Sequence, residues 1–470
     1  MSSLAASDAM MYWLSRRTHN DLFLLYCFAD SASPTAELRA LVERRSARIS
    51  ELRVRLRAVP GDLDYPSWVP CEFVAEQFLE HALSEANWPG VLDGLGKLLG
   101  TGVDATVRPW RVHIFRGVRG VPGQLPDAAP ALVVVLQMSH ALADGRGAAR
   151  IARTLFAESD MTRPPDNGSA LRPSAATSLS AITDSVSGLL RTPIQVVRTV
   201  VRGYGAYRAQ QQLAELTSTG RLPAPGPGCM PSAVNRPLLA GRADHAARMI
   251  VCDARQLRGT GRTVTVVVLT AISQALARYL ESRGEPVDRL AAQVPMAITG
   301  TSSGVRNNYR NLGVDLFIDE PDLTVRADKI AAALAAGRVR AEHPLLAARD
   351  LVTAVIAAPL LRRDVDRYPI DTVPDSIAGH TVVSSVDRGP ADLTFGGGRV
   401  LFTAGFPAIG AVMNLTHGVH GLGDTVTISV HADRAAVPDP DAYVELVREA
   451  LRAVTAVPRG DASVRDRQSR

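Results

Sequence analysis

Residues 133–145 read Val133-Val134-Val135-Leu136-Gln137-Met138-Ser139-His140-Ala141-Leu142-Ala143-Asp144-Gly145. The apolar, β-branched run has the make-up of a buried strand, and it delivers a histidine at its C-terminal end. Asp144 and Gly145 follow, and the alanine-rich stretch 148–156 then takes helical spacing. Strand, turn and helix therefore meet at His140. Imidazole is the side chain whose ordinary pKa best suits a proton acceptor near neutral pH. A carboxylate in the same turn can hold that loop in one shape. The same residues also suit a histidine bonded to a local carbonyl, with Asp144 as helix cap.

Outward from this stretch, the first part of the chain mixes strands and helices. Periodicity predicts strands over 22–29, 52–59, 111–118 and 132–138, and helices over 8–16, 36–51, 73–83 and 148–156. Composition then shifts. Residues 163–178 are rich in Pro, Ser and Asn, and 220–231 in Pro and Gly, as exposed connections are. Between them, 179–216 carries apolar residues at helical intervals, interrupted by Pro193, with a basic face of Arg191, Arg198, Arg202 and Arg208. That pattern fits a crossover helix packed on the protein or one lying on a membrane surface. The last part again alternates: strands over 248–253, 290–298, 381–384, 413–416 and 425–431, helices over 264–283, 323–340 and 439–454. The division is a domain over 1–162, a linker with a crossover helix over 163–236, and a second αβ domain over 237–470.

A chain of 470 residues exceeds one ordinary core. With 46% hydrophobic and 21% charged residues it has the balance of a globular protein. The net charge is +5, and lysine occurs only at Lys97 and Lys329. So arginine-rich a chain reflects either high-GC coding or a surface that attracts phosphate groups or anionic lipid. No aromatic-interleaved basic block or zinc spacing appears, so nucleic acid is not an expected partner. Cys27, Cys71, Cys229 and Cys252 form no short framework and read as reduced thiols. No secretory leader is legible, and no apolar run reaches the roughly 18 residues of a membrane span. The expectation is a cytoplasmic protein able to touch a membrane at its surface.

Other motifs weigh less. Residues 300–304 match the hydrolase pattern G-x-S-x-G, but 305–311 make a poor helix start, and a nucleophile elbow needs a helix there. His417, His420 and Asp424 sit among glycines in a hairpin pattern rather than on one helix face, so no metal is predicted. Gly94 and Gly96 lack the strand and third glycine of a dinucleotide loop.

With these residues in view, the chain resembles the bacterial wax ester synthase/diacylglycerol acyltransferase family over nearly its whole length. Leu4-Ala5-Ala6-Ser7-Asp8-Ala9-Met10 is similar to the family's L-S-x-x-D-A-x opening, and Arg108-Pro109-Trp110 to its P-L-W element. Met138 to Gly145 resembles H-H-x-x-x-D-G. Val294-Pro295-Met296-Ala297 and Asn307-Asn308 resemble P-V-S and G-N. Met413-Asn414-Leu415-Thr416 and Asp433 to Asp439 resemble L-N-I-T and D-x-x-x-V-P-D.

The resemblance implies an α/β fold (an α+β sandwich) of two chloramphenicol-acetyltransferase-like, or condensation-domain-like, domains with an interdomain tunnel. It implies acyl transfer from acyl-CoA to a long-chain alcohol, diacylglycerol or related lipid. His140 would be the general base, with no covalent intermediate and no cofactor beyond acyl-CoA as co-substrate. Asp144 would shape the catalytic loop, through an arginine, and Gly145 would permit a sharp turn. Ser139, Asn308 and Asn414 are the further substrate-binding candidates, the two asparagines as oxyanion donors. Three departures stand out. Ser139 replaces the first motif histidine, Thr265-Val266 falls where the family has Asn-Asp, and Ser384-Ser385-Val386-Asp387-Arg388-Gly389-Pro390 is a longer form of S-N-V-P-G-P. These leave open a tailoring enzyme of specialised metabolism, with a hydroxyl or amine acceptor and a CoA or carrier-protein donor. They also leave open a non-catalytic lipid-binding relative.

Overall fold

The apolar run of the motif lies at the centre of a six-stranded sheet. In the computed structural model, which describes residues 3–125, 127–158, 202–237, 243–298, 304–370, 372–410 and 412–456, every residue of that strand is buried. The predicted connection over 163–178, the amphipathic stretch up to residue 201 and residues 300–303 lie outside the described residues. The rest of the amphipathic stretch is helical over 202–218.

In chain order the first part runs α1 (Ala6–Ser15), β1 (Leu22–Ala29), α2 (Thr35–Ser46), β2 (Val54–Arg57), β3 (Ser67–Pro70), β4 (Phe78–Glu80), α3 (Trp88–Leu99), β5 (Trp110–Val118), β6 (Ala131–Met138) and α4 (Gly145–Phe156). After the helix over 202–218, here α5, come β7 (His245–Asp253), α6 (Ala254–Arg258), α7 (Val264–Ser282), β8 (Ala291–Ala297) and β9 (Tyr309–Asp315). The chain closes with α8 (Leu323–Ala341), α9 (Pro344–Thr353), α10 (Ala358–Arg367), β10 (Thr381–Asp387), β11 (Thr394–Phe395), β12 (Gly398–Phe406), β13 (Leu415–Leu422), β14 (Thr425–Asp433) and α11 (Pro440–Ala456).

Two mixed sheets organise these elements, one in the order β11-β12-β1-β6-β5-β4 and the other β7-β14-β13-β10-β8-β9. The two-residue period of β6 explains why no position faces solvent: Leu132, Val134, Leu136 and Met138 enter one apolar core, Val133 and Val135 another, and Gln137 is bonded to Asp21 and His113. The first core is closed by α1, α2, α4 and α10, the second by α3 together with Ala247 and Met249 of β7. The second sheet is covered by α7, α8 and α11. By length and composition α7 could cross a bilayer, but it is mostly buried in this core.

One strand joins the halves. β12 pairs with β1 inside the first sheet, although division by chain order groups 394–406 with the second domain. It also meets the second sheet: Ser429 Oγ donates to the Gly405 carbonyl and His431 Nδ1 to the Pro407 carbonyl at 2.9 Å. The helix predicted over 73–83 is absent. Residues Ala75–Gln77 form one 3-10 turn, and β4 then pairs in parallel with β5. Gln77 decides this locally, donating from Nε2 to the Trp110 carbonyl at 3.0 Å and tying the segment to the sheet edge.

Candidate active site

Sheet pairing delivers His140 to its place. Met138 pairs with Leu22 and Trp110, and the Ser139 N–H donates to the Pro109 carbonyl at 2.8 Å, so pairing continues past the strand. The Leu142 N–H then donates to the Ser139 carbonyl at 2.9 Å, closing a turn that carries half-buried His140.

His140 Nδ1 lies 2.7 Å from Asn307 Oδ1. Asn307 Nδ2 faces two acceptors, Asp8 Oδ1 at 3.0 Å and the His140 carbonyl at 2.7 Å. Only an NH2 group donates to both, so the amide orientation is fixed and its oxygen meets the imidazole. Nδ1 must then carry the hydrogen, which leaves the Nε2 lone pair free. This is the tautomer that a general base requires. Behind Asn307, Asp8 also accepts from the backbone N–H groups of Arg306 at 3.1 Å and Asn307 at 2.9 Å. Burial pushes the Asp8 carboxyl above its usual range while these donors pull it back. Burial likewise holds His140 below the usual imidazole value, against its Asn307 bond and the charges of Asp144 and Asp8.

Asp144 builds the loop rather than the imidazole's polarity. Its Oδ1 accepts from the Gly147 N–H at 2.8 Å, capping α4, and its Oδ2 from the Asn308 N–H at 3.3 Å. Its own N–H donates to the Arg306 carbonyl at 3.2 Å. The expected arginine therefore takes part through its backbone, and the motif loop is clamped to 306–308. Arg306 closes the clamp, donating from Nη1 to the Leu142 carbonyl at 3.0 Å with its guanidinium 4.7 Å from the centre of the Trp68 ring.

The remaining candidates take other roles. Gly145 has no positive φ, and a Cβ there would meet Val386 Cγ2 at 3.7 Å, an ordinary contact, so the turn does not require glycine. Ser139 is 1% exposed and accepts from the Ala141 N–H at 3.3 Å, which leaves no surface for a substrate. Asn308 donates one of its two amide hydrogens to the Ile298 carbonyl at 2.7 Å. Asn414 is elsewhere. Thr416 aligns with Val382 and Val382 with Gln293, which puts Asn414 level with residue 291, whereas Tyr309, beside His140, pairs with Ala297. Six residues of strand separate them by about 20 Å. Thr265, at the family's Asn-Asp position, donates to Ser385 Oγ at 2.9 Å and fastens α7 to β10. His417 and His420 point to opposite faces of β13, the first held by Thr381 and Tyr443 at 2.8 Å each. Sequence reasoning passed over Asp8, Asn307 and Arg306 as site residues. The available signal was Asp8 as the one charged residue of the first helix, Ala6–Ser15.

A cavity of about 890 Å³ opens against the outer side of this loop. Leu142, Ala143, Ile151, Trp68 and Arg306 wall it, and the Arg150–Glu51 ion pair at 2.8 Å stands at its edge.

The family model described as the wax ester synthase/diacylglycerol acyltransferase catalytic domain matches residues 4–268, and the C-terminal domain model of that family matches 307–455. The chain is 24% identical over 372 residues to the probable diacylglycerol O-acyltransferase Tgs4 of Mycobacterium tuberculosis, covering 73% of this chain and 72% of that protein. The same figures hold for a putative diacylglycerol O-acyltransferase of Mycobacterium bovis. Among solved structures, the wax ester synthase/diacylglycerol acyltransferase of Marinobacter aquaeolei superposes with a TM-score of 0.61 at 17% identity, covering 96% of this chain and 98% of that one. A variant of the starter condensation domain of rhizomide synthetase, in complex with C8-CoA, gives 0.55 at 13% identity, with 96% and 94% covered. The fold is thus the chloramphenicol-acetyltransferase-like one, and the chain belongs to the wax ester synthase/diacylglycerol acyltransferase family, whose members are acyltransferases.

Proposed function

We propose that this acyltransferase moves an acyl group from acyl-CoA to the hydroxyl of a long-chain alcohol, a diacylglycerol or a related lipid, with His140 as general base. The observation that carries this reading is the free Nε2 of His140, fixed by Asn307. Nε2 takes the acceptor's proton as its oxygen attacks the thioester carbonyl. The tetrahedral intermediate then collapses, the C–S bond breaks, and the imidazolium returns the proton to the departing thiolate. No enzyme atom becomes acylated. Asn307 Oδ1, backed by Asp8, faces Nδ1–H and stabilises the cationic ring while it forms.

The 890 Å³ cavity supports an entrance for one substrate, since its wall is the loop that bears His140. No cofactor besides acyl-CoA enters this scheme. Four unpaired cysteines suit a reducing compartment such as the cytoplasm. Purified protein given acyl-CoA and a panel of alcohols should release free CoA, read with a thiol reagent. His140→Ala should lose this release with its circular dichroism unchanged. Full activity in that variant sinks the proposed base.

A further inference from the structure

The cavity beside the motif loop has a charged end and an apolar body. At the charged end Arg306 spends an Nη1 hydrogen on the Leu142 carbonyl, while its Nε and Nη2 are unbonded and not sealed from the cavity it walls. The Trp68 ring supports one face of the guanidinium, at 4.7 Å. Arg150 stands at the same end and donates to Glu51 Oε1 at 2.8 Å, and the Ser50 hydroxyl donates to Glu51 Oε2 at 2.9 Å. Burial holds the Arg306 guanidinium below its usual value, with Glu51 and Asp8 raising it and Arg150 lowering it, so these charges share one neighbourhood. Among the described residues Arg306 has no ion pair, and Glu51 is already taken by Arg150. The body of the cavity is carbon: Leu4, Ile151 and the ring of Tyr65, whose hydroxyl is spent on the Ile356 carbonyl at 2.7 Å.

A half-buried guanidinium with spare donors favours an anion, and carboxylate or phosphate oxygens match its fork. Its position selects the substrate that brings the anion. The cavity ends on Leu142 and Ala143, which follow His140 in the loop. His140 and Leu142 have Cα atoms at most about 7.6 Å apart, and Arg306 reaches the Leu142 carbonyl at 3.0 Å. The spare donors thus lie on the order of 10 Å from the reacting atoms. In CoA the first phosphate follows the pantetheine arm, which is longer than four extended residues, roughly 14 Å. We infer that Arg306 and Arg150 bind an anionic group of the acceptor. The acceptor is then a hydroxylated amphiphile with a carboxylate or phosphate about 10 Å from its hydroxyl. This rests on the acyltransferase reading above and narrows its acceptor to an acidic one. The hydroxyl oxygen bonds to the acyl carbon, the C–S bond breaks, His140 carries the proton to the thiolate, and the anion is unchanged.

The acceptor ω-hydroxyoctanoate has this span, about three extended residues or roughly 10 Å, and ω-hydroxyoctanamide is its neutral counterpart. With octanoyl-CoA as donor, the full chain should favour the acid about tenfold in kcat/KM, chiefly through KM. Added salt should shrink that preference. Arg306→Met should abolish the preference and Arg150→Gln should reduce it. A loosened loop in Arg306→Met slows both acceptors alike and leaves their ratio as it was. Equal use of acid and amide by the wild type, or a ratio unchanged in both variants, would overturn the acceptor site. Octanoyl-pantetheine, which lacks phosphate, tests the other source. If the variants instead erase the advantage of octanoyl-CoA over it, the arginines hold CoA and the inference fails. Calorimetric titration of ω-hydroxyoctanoate without a donor needs no turnover. Weaker binding to both variants than to the wild type supports the site even where no thioester reacts, and then the functional reading alone fails. Equal binding overturns the site.

Discussion

At the residue scale, the chemistry rests on one hydrogen atom being on Nδ1 and not on Nε2. Asn307 imposes this because its amide has two acceptors on one side and an imidazole on the other. Asn307→Ala should therefore lower kcat by roughly 10- to 100-fold with a smaller effect on KM, less than the roughly 10²–10⁴ that the general base itself supplies. Steady-state kinetics of the purified variant reads this. His140 must be neutral to act, and burial holds it below 6.5. The rate should rise with pH through that lowered pKa and be level by neutrality. Since the Asn307 bond raises the His140 pKa, Asn307→Ala should move the acid limb of the pH profile further down, which a purely structural lesion does not do.

At the element scale, Asp144 ties together three pieces: the motif turn, the first turn of α4 and the 306–308 loop. Asp144→Ala should cost about 1 kcal/mol as a lost helix cap and also reduce activity, because the loop presenting Asn307 loosens. Chemical denaturation together with kinetics tests this pairing of effects. Substitution of Gly145 by Ala, by contrast, should be tolerated, since the added methyl meets Val386 at an ordinary distance.

At the scale of the whole molecule, β12 makes the two halves interdependent. It covers the edge of β1, whose residues from Phe23 to Phe28 are all buried. A fragment ending at residue 236 exposes that edge and should be insoluble, with recovery on co-expression of residues 237–470. Solubility after expression measures this. Acid should also unfold the protein. Burial holds His113 down to about 4, His417 and His431 down to about 3, and His420 well below its usual value. Below pH 6.5 the unfolded chain binds protons that the folded one refuses, so each group removes roughly 1.4 kcal/mol of stability per pH unit until its folded pKa is reached. Asp21, raised to about 6 by burial, opposes them between pH 6 and 4, where the folded state keeps a proton the unfolded chain releases. Four histidines outweigh one carboxyl, so melting temperatures should fall steadily from pH 6.5 to 4.

The sequence by itself determined the central strand, the histidine at its end, the capping aspartate and the family, because each is written in adjacent residues: an unbroken apolar run, a turn, and ordered motifs. It did not determine the strand pairing of 78–80 or the place of 394–406, since a short segment's conformation depends on which edge it finds. Nor did it show that Asp8 and Asn307 support His140, or that Asn414 stands about 20 Å along the sheet from it. These residues are brought together or held apart by strand register, which depends on contacts between segments hundreds of residues apart. Hydrogen-bond partners chosen across such distances leave no local trace in the chain, and only the tertiary structure decided them.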